Sequence, residues 1–491
     1  MNSKYTPKSN VNGCALMPSP GPAITRRHLL GSVAAATTLA AVNAGATCPV
    51  DPSTMCNVTH LYSVPTAQIT PVRDADDIRQ ALRRWSGRVS VGGGRFSMGG
   101  QAALAGGLQL DMRSMRQLMT LDPIGKVAKV QAGMRWRDLQ TLLDPHGLSV
   151  RTMQSYANFT VGGSISVNCH GRYVGHGSIV HSVLALQLVL ADGTALEVSP
   201  TQNAELFFAV IGGYGGLGVV TEVTLALDDN FAIESSFKKV KLDDYPAWFK
   251  QKVASDATAL LHNADMKFPE FDHAHCVTWS RTEKAVTQPA RLRSIQTSYA
   301  AEKVAIWAMT ELPGGQALRR KLLDPLRARS TVVWRNYEAS RDVAELEPAS
   351  RSIATYVLQE YFVPERHFVQ FARQMSGILR QSPTGTLNVS IRHAPADQHT
   401  LMAWAREDVF CFVVYYKQRT TAAAQLAVAD WTRAMIALAL VHEGTYYLPY
   451  QLHATQRQFD AAYPQSARLR ALRRNVGATR FSNALWDKYG V

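Results

Sequence analysis

Hydrophobic and polar positions alternate in short, regular blocks from Arg73 onward, and these blocks predict interleaved helices and strands. Residues 74–85 (DADDIRQALRRW) place apolar side chains on one helical face and acids in the first turn, where they complement the helix dipole. Residues 126–132 (KVAKVQA) instead alternate with the period of two that is typical of a half-buried strand. The same patterns predict strands at 89–91, 108–111, 182–190, 195–198 and 219–227 and a helix at 136–143.

The glycine content is high up to Gly218 and then falls, which predicts two differently built domains. Beyond about residue 230 the chain is expected to be helical and more charged, with strand-like stretches at 354–363, 387–391 and 409–416. The sequence therefore predicts an α+β architecture. Its five expected parts are a signal peptide (1–46), a lead-in segment (47–70), a glycine-rich domain (71–235), a second domain (236–440) and a C-terminal segment (441–491).

Composition narrows the class of protein. The 491 residues are 46% hydrophobic and 18% charged, which excludes a disordered chain, a collagen-like repeat and a small disulfide scaffold. The six cysteines are scattered and form no C-x-x-C pair, so neither a structural zinc site nor any other metal site is predicted. The formal charge is +14, but the cations outside the leader are interleaved with acids. We therefore expect no nucleic-acid partner, and instead a basic surface that suits anionic groups.

The first 46 residues resemble an export leader. Arg26 and Arg27 precede a weakly apolar, small-residue run from Gly31 to Ala46, and Ala-x-Ala-type ends follow at Ala44 and Ala46. Paired arginines before such a run favour the twin-arginine route, which carries folded proteins to the periplasm. The alternative is a chance arginine pair before a retained anchor. No other segment is expected to be long and apolar enough to span a bilayer.

Two glycine-rich segments point to different chemistry. Residues 213–218 (GYGGLG) match a dinucleotide fingerprint, but a strand rather than a helix follows, so a Rossmann nicotinamide site is not expected there. Residues 91–101 (VGGGRFSMGGQ) follow a short strand, and Gly93 and Gly94 allow close approach and left-handed backbone. Successive N–H groups of such a loop can converge on an anion, whereas a plain tight turn is the alternative.

These segments, taken in order, resemble the vanillyl-alcohol-oxidase (PCMH-type) superfamily of FAD-dependent oxidoreductases. The resemblance rests on VGGGRFSMGGQ, TVGGSISVNCHGR, GHGSIVHSV, LADG and NAELFFAVIGGYGGLGVVTEVTL, which cover most of residues 70–228. YYLPY (446–450) and RFSNALWDKYG (480–490) are similar to the sugar-oxidising branch, which includes decaprenylphosphoryl-ribose, alditol and aldonolactone oxidases. The resemblance implies a two-subdomain FAD-binding domain at 71–235, a C-terminal α+β substrate (cap) domain, and a last segment that returns to the FAD domain.

The resemblance also implies which residues hold FAD. The first loop would hold the pyrophosphate, the next two segments would follow the ribityl chain and the flavin ring, and a valine pair would lie near adenine. The implied residues are Gly92, Gly93, Gly94, Arg95, Phe96, Ser97, Gln101, Thr160, Gly162, Gly163, Ser166, Gly171, Gly175, Gly177, Ser178, Val219 and Val220. Cys169 is expected to be a small buried residue, and His170 either a flavin neighbour or a structural histidine.

Two departures from the family pattern matter. Arg95 stands where many relatives place the histidine that links covalently to flavin, and no cysteine lies near residues 156–160. Non-covalent FAD is therefore expected. Tyr450 stands where the sugar-oxidising groups carry a lysine near the C-terminus, so a phenol replaces a cation that contacts a sugar oxygen. Because of this change, the resemblance does not determine the identity of the substrate.

The leading functional prediction is an exported oxidoreductase that passes a hydride from an alcohol carbon of a sugar-, polyol- or aldonolactone-like substrate to FAD. The expected substrate contacts are Arg392, Gln359, Tyr361 and Tyr450, with His170 or Tyr450 as the base; a surface salt-bridge role is the alternative for Arg392. The substrate is expected to be small and oxygen-rich, and the electron acceptor is open among oxygen, a quinone and a protein. A flavin-dependent reductase of a C=C bond and a non-catalytic flavin-binding envelope protein are the alternative functions.

Overall fold

The computed structural model describes residue 51 and residues 53–311, 330–382 and 384–490, all within one compact unit. The predicted leader, with Arg26 and Arg27, lies outside the described residues. Of the six cysteines, Cys169, Cys276 and Cys411 are free and buried, which confirms the expectation for Cys169.

The N-terminal half of the described chain builds a two-stranded sheet, two larger sheets and their helices. Its strands are β1 (Thr54–Cys56), β2 (Ser63–Pro65), β3 (Gln68–Pro71), β4 (Val89–Gly92), β5 (Leu108–Asp111), β6 (Leu118–Asp122), β7 (Val127–Gln131), β8 (Leu148–Val150), β9 (Val183–Val189), β10 (Ala195–Val198) and β11 (Val219–Asp229). Its helices are α1 (Ala75–Arg84), α2 (Trp136–Leu143), α3 (Val161–Ser166) and α4 (Ala204–Val210). All strands predicted in this half are confirmed, with boundary shifts of at most two residues.

Two sheets carry this half. Strands β3, β5 and β4 form a parallel three-stranded sheet, and β10, β9, β11, β7 and β6 form an antiparallel sheet to whose β11 strand β8 also pairs. Helix α1 begins after Asp74, whose side chain accepts a hydrogen bond from the Asp77 N–H and caps the first turn. Its Ile78 and Leu82 are buried against the parallel sheet.

The second half is built on one antiparallel sheet of eight strands. Its strands are β12 (Ala232–Lys241), β13 (Ala259–Met266), β14 (His273–Arg281), β15 (Val332–Trp334), β16 (Ala354–Pro364), β17 (Gly385–Ala394), β18 (Val409–Arg419) and β19 (Thr445–Tyr446). Its helices are α5 (Tyr245–Phe249), α6 (Ala300–Glu311), α7 (Arg335–Ala339), α8 (Phe368–Gln381) and α9 (Ala422–Val441), and α10 (Gln456–Ala462), α11 (Ser466–Asn475) and α12 (Ala484–Tyr489) follow. The strand order is β15-β12-β14-β13-β17-β18-β16-β19.

The expectation of a mainly helical chain beyond residue 230 is therefore wrong. Strands β12, β13 and β14 occupy much of residues 232–281, and the three strand-like stretches further on are longer than predicted. In β12 the alternation is hidden because residues 236–239 are all exposed, although Ile233 and Ser235 are buried. A strand with one solvated face carries few apolar residues and resembles a charged helix in sequence.

Helix α9 corrects the expectation that no segment beyond the leader is long and apolar enough to span a bilayer. By length and composition this 20-residue helix is apolar enough to cross a membrane. Its Trp431 packs edge-on against Tyr416 of β18 at a ring distance of 4.9 Å, and Val428, Met435 and Ile436 are buried with it. Helices α8 and α9 thereby cover one face of the eight-stranded sheet.

Candidate functional site

A largely apolar cleft of about 220 Å³ lies between the N-terminal sheets and the uncovered face of the eight-stranded sheet. Three glycine-containing segments form most of its wall: the loop after β4, the start of α3, and the loop before β11. Of the residues implied for FAD, the cleft is lined by Gly93, Gly94, Arg95, Phe96, Ser97, Gln101, Thr160, Gly162, Gly163, Ser166 and Val220.

The first loop approaches α3 closely at Gly93. A Cβ on Gly93 would lie 2.3 Å from the Thr160 hydroxyl oxygen, which accepts the Gly163 N–H and caps α3. Any side chain at Gly93 would thus displace the cap. Gly93 and Gly94 are not left-handed; the left-handed residues of this loop are Arg95, with φ +63°, and Gly100, with φ +85°, which corrects the expected reason for the first glycines. Close approach is what requires them.

The Arg95 guanidinium is held by a buried carboxylate. It lies 3.2 Å from Asp111, which also binds Arg113 at 2.5 Å. Burial raises the pKa of Asp111, but the hydrogen bonds from Arg113 and the charges of both arginines outweigh it and lower the pKa below the usual value. Arg95 is therefore a fixed cation at the cleft wall, where relatives were expected to carry a histidine.

The loop before β11 is a part of the cleft that the sequence argument missed. Gly213, Tyr214, Gly215, Gly216 and Gly218 all line the wall, although the GYGGLG motif is not followed by a helix. The C-terminal segment fixes this loop. A Cβ on Gly216 would lie 2.5 Å from Nε1 of Trp486, and Arg473 donates to the Gly216 carbonyl. The GYGGLG motif was the available sequence signal, but it was excluded as a Rossmann nicotinamide site and was given no other role.

Several implied FAD residues lie away from the cleft. Gly92 ends strand β4, and Val219 belongs to the core around the parallel sheet. Gly171, Gly175, Gly177 and Ser178 belong to a loop that folds back on itself through the His170–Ser178 bridge and pairs with β13 through Tyr173 and Leu261. Among the described residues these positions support the wall rather than form it.

A buried polar cluster stands behind one end of the cleft. Tyr450 lines the cleft, and its hydroxyl donates to Oε2 of Glu360 over 3.2 Å. Oε1 of Glu360 lies 2.8 Å from Nε2 of His170, although no aligned hydrogen bond joins them. His170 packs against Trp404 at 4.8 Å, so it lies one layer behind the cleft wall and is not a lining residue.

The register of strands β16, β18 and β17 places Arg392 on the same sheet face as Glu360. Glu360 of β16 pairs with Val413 of β18, which pairs with Ser390 of β17. Two residues along, on the same face, Cys411 pairs with Phe362 and with Arg392. In antiparallel sheets directly paired residues share a face. The Arg392 Nε is buried and has no hydrogen-bond partner among the described residues.

Electrostatics distinguish Glu360 from its neighbours. Burial raises the pKa of Glu360, but the close approach of His170, the charge of Arg392 and the hydrogen bond from Tyr450 outweigh it, and the net shift is downward. Burial raises the pKa of the Tyr450 phenol well above its usual value, and the negative charge of Glu360 adds to this shift. At neutral pH the cluster therefore holds an ionised carboxylate beside a protonated phenol.

The structure corrects the expectation that Gln359 and Tyr361 contact the substrate. Their neighbours Leu358 and Glu360 face the cleft or its polar cluster, so alternation turns Gln359 and Tyr361 to the helix-covered face. The Tyr361 ring packs with Phe371 of α8 at 6.3 Å, and Gln359 shares its sheet face with Tyr416, which packs against Trp431 of α9. Neither side chain can contact a ligand in the cleft.

The cleft suits FAD. Backbone without Cβ atoms lines the cleft in two loops, at Gly93 and Gly94 and at Gly213, Gly215 and Gly216, and Arg95 supplies a fixed positive charge beside the first loop. Peptide N–H groups of such loops bind phosphate oxygens, and the apolar wall between them suits a planar ring. The residues of both loops would hold the cofactor.

Comparisons with known proteins agree with this assignment. Residues 66–199 match a family model described as an FAD binding domain. The chain is 24% identical to L-gulonolactone oxidase of Bos taurus over 435 residues, which cover 86% of this chain and 94% of that protein. It is 27% identical to decaprenylphosphoryl-beta-D-ribose oxidase of Mycolicibacterium smegmatis over 38% of this chain and 46% of that one. It is 31% identical to a putative D-arabinono-1,4-lactone oxidase of Neurospora crassa over 25% and 22%.

Proposed function

We propose that this chain, an FAD-dependent oxidoreductase of the PCMH-type superfamily, oxidises an alcohol carbon of a sugar-, polyol- or aldonolactone-like substrate. Bound FAD supplies the hydride acceptor. The chain's own residues bind and orient the substrate, exclude water and receive the proton that leaves its hydroxyl group.

The observation that carries the proposal is the polar cluster at an otherwise apolar wall. The Tyr450 hydroxyl lies at the cleft wall, the Glu360 carboxylate and the Arg392 guanidinium lie behind it, and the Arg392 Nε has no hydrogen-bond partner among the described residues. An unpaired buried donor is costly unless a ligand satisfies it. Vicinal hydroxyls or a lactone carbonyl offer the acceptors that a guanidinium fork binds.

The test is anaerobic reduction of the purified yellow protein. Polyols, aldonolactones and free sugars are mixed with the holoenzyme without oxygen, and the flavin absorbance is followed. We expect bleaching by at least one of these alcohols and none by NADPH. Bleaching by NADPH but by no alcohol would instead support the reduction of a C=C bond. A flavin that no compound reduces would support a non-catalytic role.

We also propose that FAD is held without a covalent bond and that the protein is exported to the periplasm. The ion pair between Arg95 and Asp111 supports the first proposal, because a guanidinium fills the position of the expected linking histidine. Two observations support the second: the twin-arginine leader, and the disulfide bond of Cys56. Disulfides persist in oxidising compartments and are rare in the cytosol.

A further inference from the structure

Only one titratable side chain of the polar cluster reaches the cleft. Tyr450 lines the wall, whereas Glu360 and His170 are 2% and 4% exposed and stand behind it. The neighbouring phenol of Tyr447 also lines the wall, but its hydroxyl donates to the Val167 carbonyl over 2.9 Å. Tyr450 is therefore the group that a substrate hydroxyl can meet.

A phenol that keeps its proton is not a base by itself. The hydrogen bond to Oε2 of Glu360 changes this, because it offers the phenol proton an acceptor 3.2 Å away. The carboxylate is kept ionised by the groups that surround it: His170 at 2.8 Å, the Arg392 guanidinium on β17, two strands away in the sheet, and Tyr450 itself. The Cys411 thiol, also buried, completes this surrounding.

We propose that Tyr450 and Glu360 form a proton relay for substrate oxidation. The Tyr450 oxygen accepts the proton of the substrate hydroxyl as its own proton passes to Oε2 of Glu360. The substrate C–H bond supplies the electron pair, which leaves with hydrogen to FAD, and the carbon–oxygen bond becomes a carbonyl. Tyr450 is the catalytic base, and Glu360, held by His170 and Arg392, is a positioning residue. This inference rests on the proposed alcohol oxidation.

The variants Tyr450→Phe and Glu360→Gln test the relay, with Tyr245→Phe as the matched control. Tyr245 is also a fully buried tyrosine that bonds a titratable partner, His262 at 3.0 Å, but it lies in the core of the cap. We expect both relay variants to retain FAD and to slow anaerobic reduction by about 10²–10⁴-fold, the usual range for a lost general base. Tyr245→Phe should reduce at nearly the parent rate.

The pH dependence separates a relay from a merely structural role. The relay needs ionised Glu360, so the reduction rate of the parent should fall as pH drops through the depressed pKa of this carboxyl. Glu360→Gln should lose that acid limb and should gain rate at high pH, where hydroxide substitutes for the carboxylate. A variant that is slower but has the parent's pH profile would overturn the relay.

A readout without turnover uses thermal unfolding of the holoenzyme. Because the folded-state pKa of Glu360 lies below its unfolded value, its stabilisation is present above the unfolded pKa and is lost as pH falls through the folded one. The Tm gap between the parent and Glu360→Gln should therefore narrow towards acidic pH. A Tm difference that does not change with pH, or equal reduction rates in parent and variants, would overturn the relay but not the proposed function. A parent that no alcohol reduces would overturn the proposed function itself.

Discussion

At the residue scale, the most informative side chain of the site is one that the sequence argument passed over. Glu360 is the single acid in the strand ATYVLQEYFVP, and a lone carboxylate in a buried strand indicates a partner or a function. The prediction chose its two neighbours instead, Gln359 and Tyr361. A step of one residue along a strand reverses the face, so this small error exchanged the cleft for the helix layer.

The position of Tyr450 at the cleft wall could be predicted from the resemblance, whereas the contact of Arg392 with a substrate stays a prediction. The partnership of Glu360 with His170 could not be predicted, since 190 residues separate them and only the fold brings them within 2.8 Å.

The first residue-scale prediction concerns substrate orientation by Arg392. Arg392→Met should keep FAD bound and slow anaerobic reduction by roughly ten- to a hundred-fold, which corresponds to about 1.5–3 kcal/mol for a charged hydrogen bond. Arg392→Lys should restore little, because one ammonium cannot reproduce the planar fork. Stopped-flow reduction with the best substrate measures both variants. Parent-like rates in Arg392→Met would remove this residue from the substrate site.

A second residue-scale prediction concerns the flavin bond and Arg95. Since a guanidinium paired with Asp111 cannot form the histidyl link, acid precipitation should release all the FAD into the supernatant. On a denaturing gel the protein band should show no flavin fluorescence. Fluorescence that stays with the band would contradict the non-covalent assignment and would direct attention to another attachment residue.

At the element scale, the helices and strands with a clear hydrophobic pattern in the sequence were predicted most accurately. Helix α2 and strands β5 and β10 begin and end where the sequence placed them, because turn residues and apolar runs coincide there. Strand β12 was missed because residues 236–239 are all exposed and include the charged Lys238 and Lys239. The contribution of the 213–218 loop was missed because its glycines act in a strand–loop setting, whereas the fingerprint argument required a helix.

The element-scale prediction concerns the contact between the first loop and α3. In Gly93→Ala the new Cβ would meet the Thr160 hydroxyl and displace the cap of α3, so the FAD content of the purified protein should fall and its Tm should drop. Losing such a cap costs about 0.5–2 kcal/mol. Gly385→Ala is the matched control, because its Cβ would have only Lys417 nearby, at 3.8 Å, in strand β17. Equal FAD content in the two variants would separate this contact from cofactor binding.

At the scale of the whole molecule, the last 50 residues contact several parts of the cleft wall. Tyr450 reaches Glu360 in the eight-stranded sheet, while Arg473 and Trp486 hold the glycine loop before β11. Phe481 adds a bridge to Val89 beside the first loop. The polar cluster and both glycine loops therefore depend on one chain segment. Resemblance had implied the return of this segment, but its contacts are visible only in the folded chain.

The prediction at this scale is that the protein reaches the periplasm already folded around FAD. Changing Arg26 and Arg27 to lysine should leave uncleaved protein in the cytoplasm, because the twin-arginine route depends on this pair. That protein should still be yellow, since the FAD-binding loops lie far along the chain from the leader. Fractionation with immunoblotting and flavin absorbance measures both properties, and changing Lys4 and Lys8 to arginine is the charge-matched control. Normal export of the double-lysine variant would refute the twin-arginine route, whereas a colourless cytoplasmic product would show that FAD is acquired only after export.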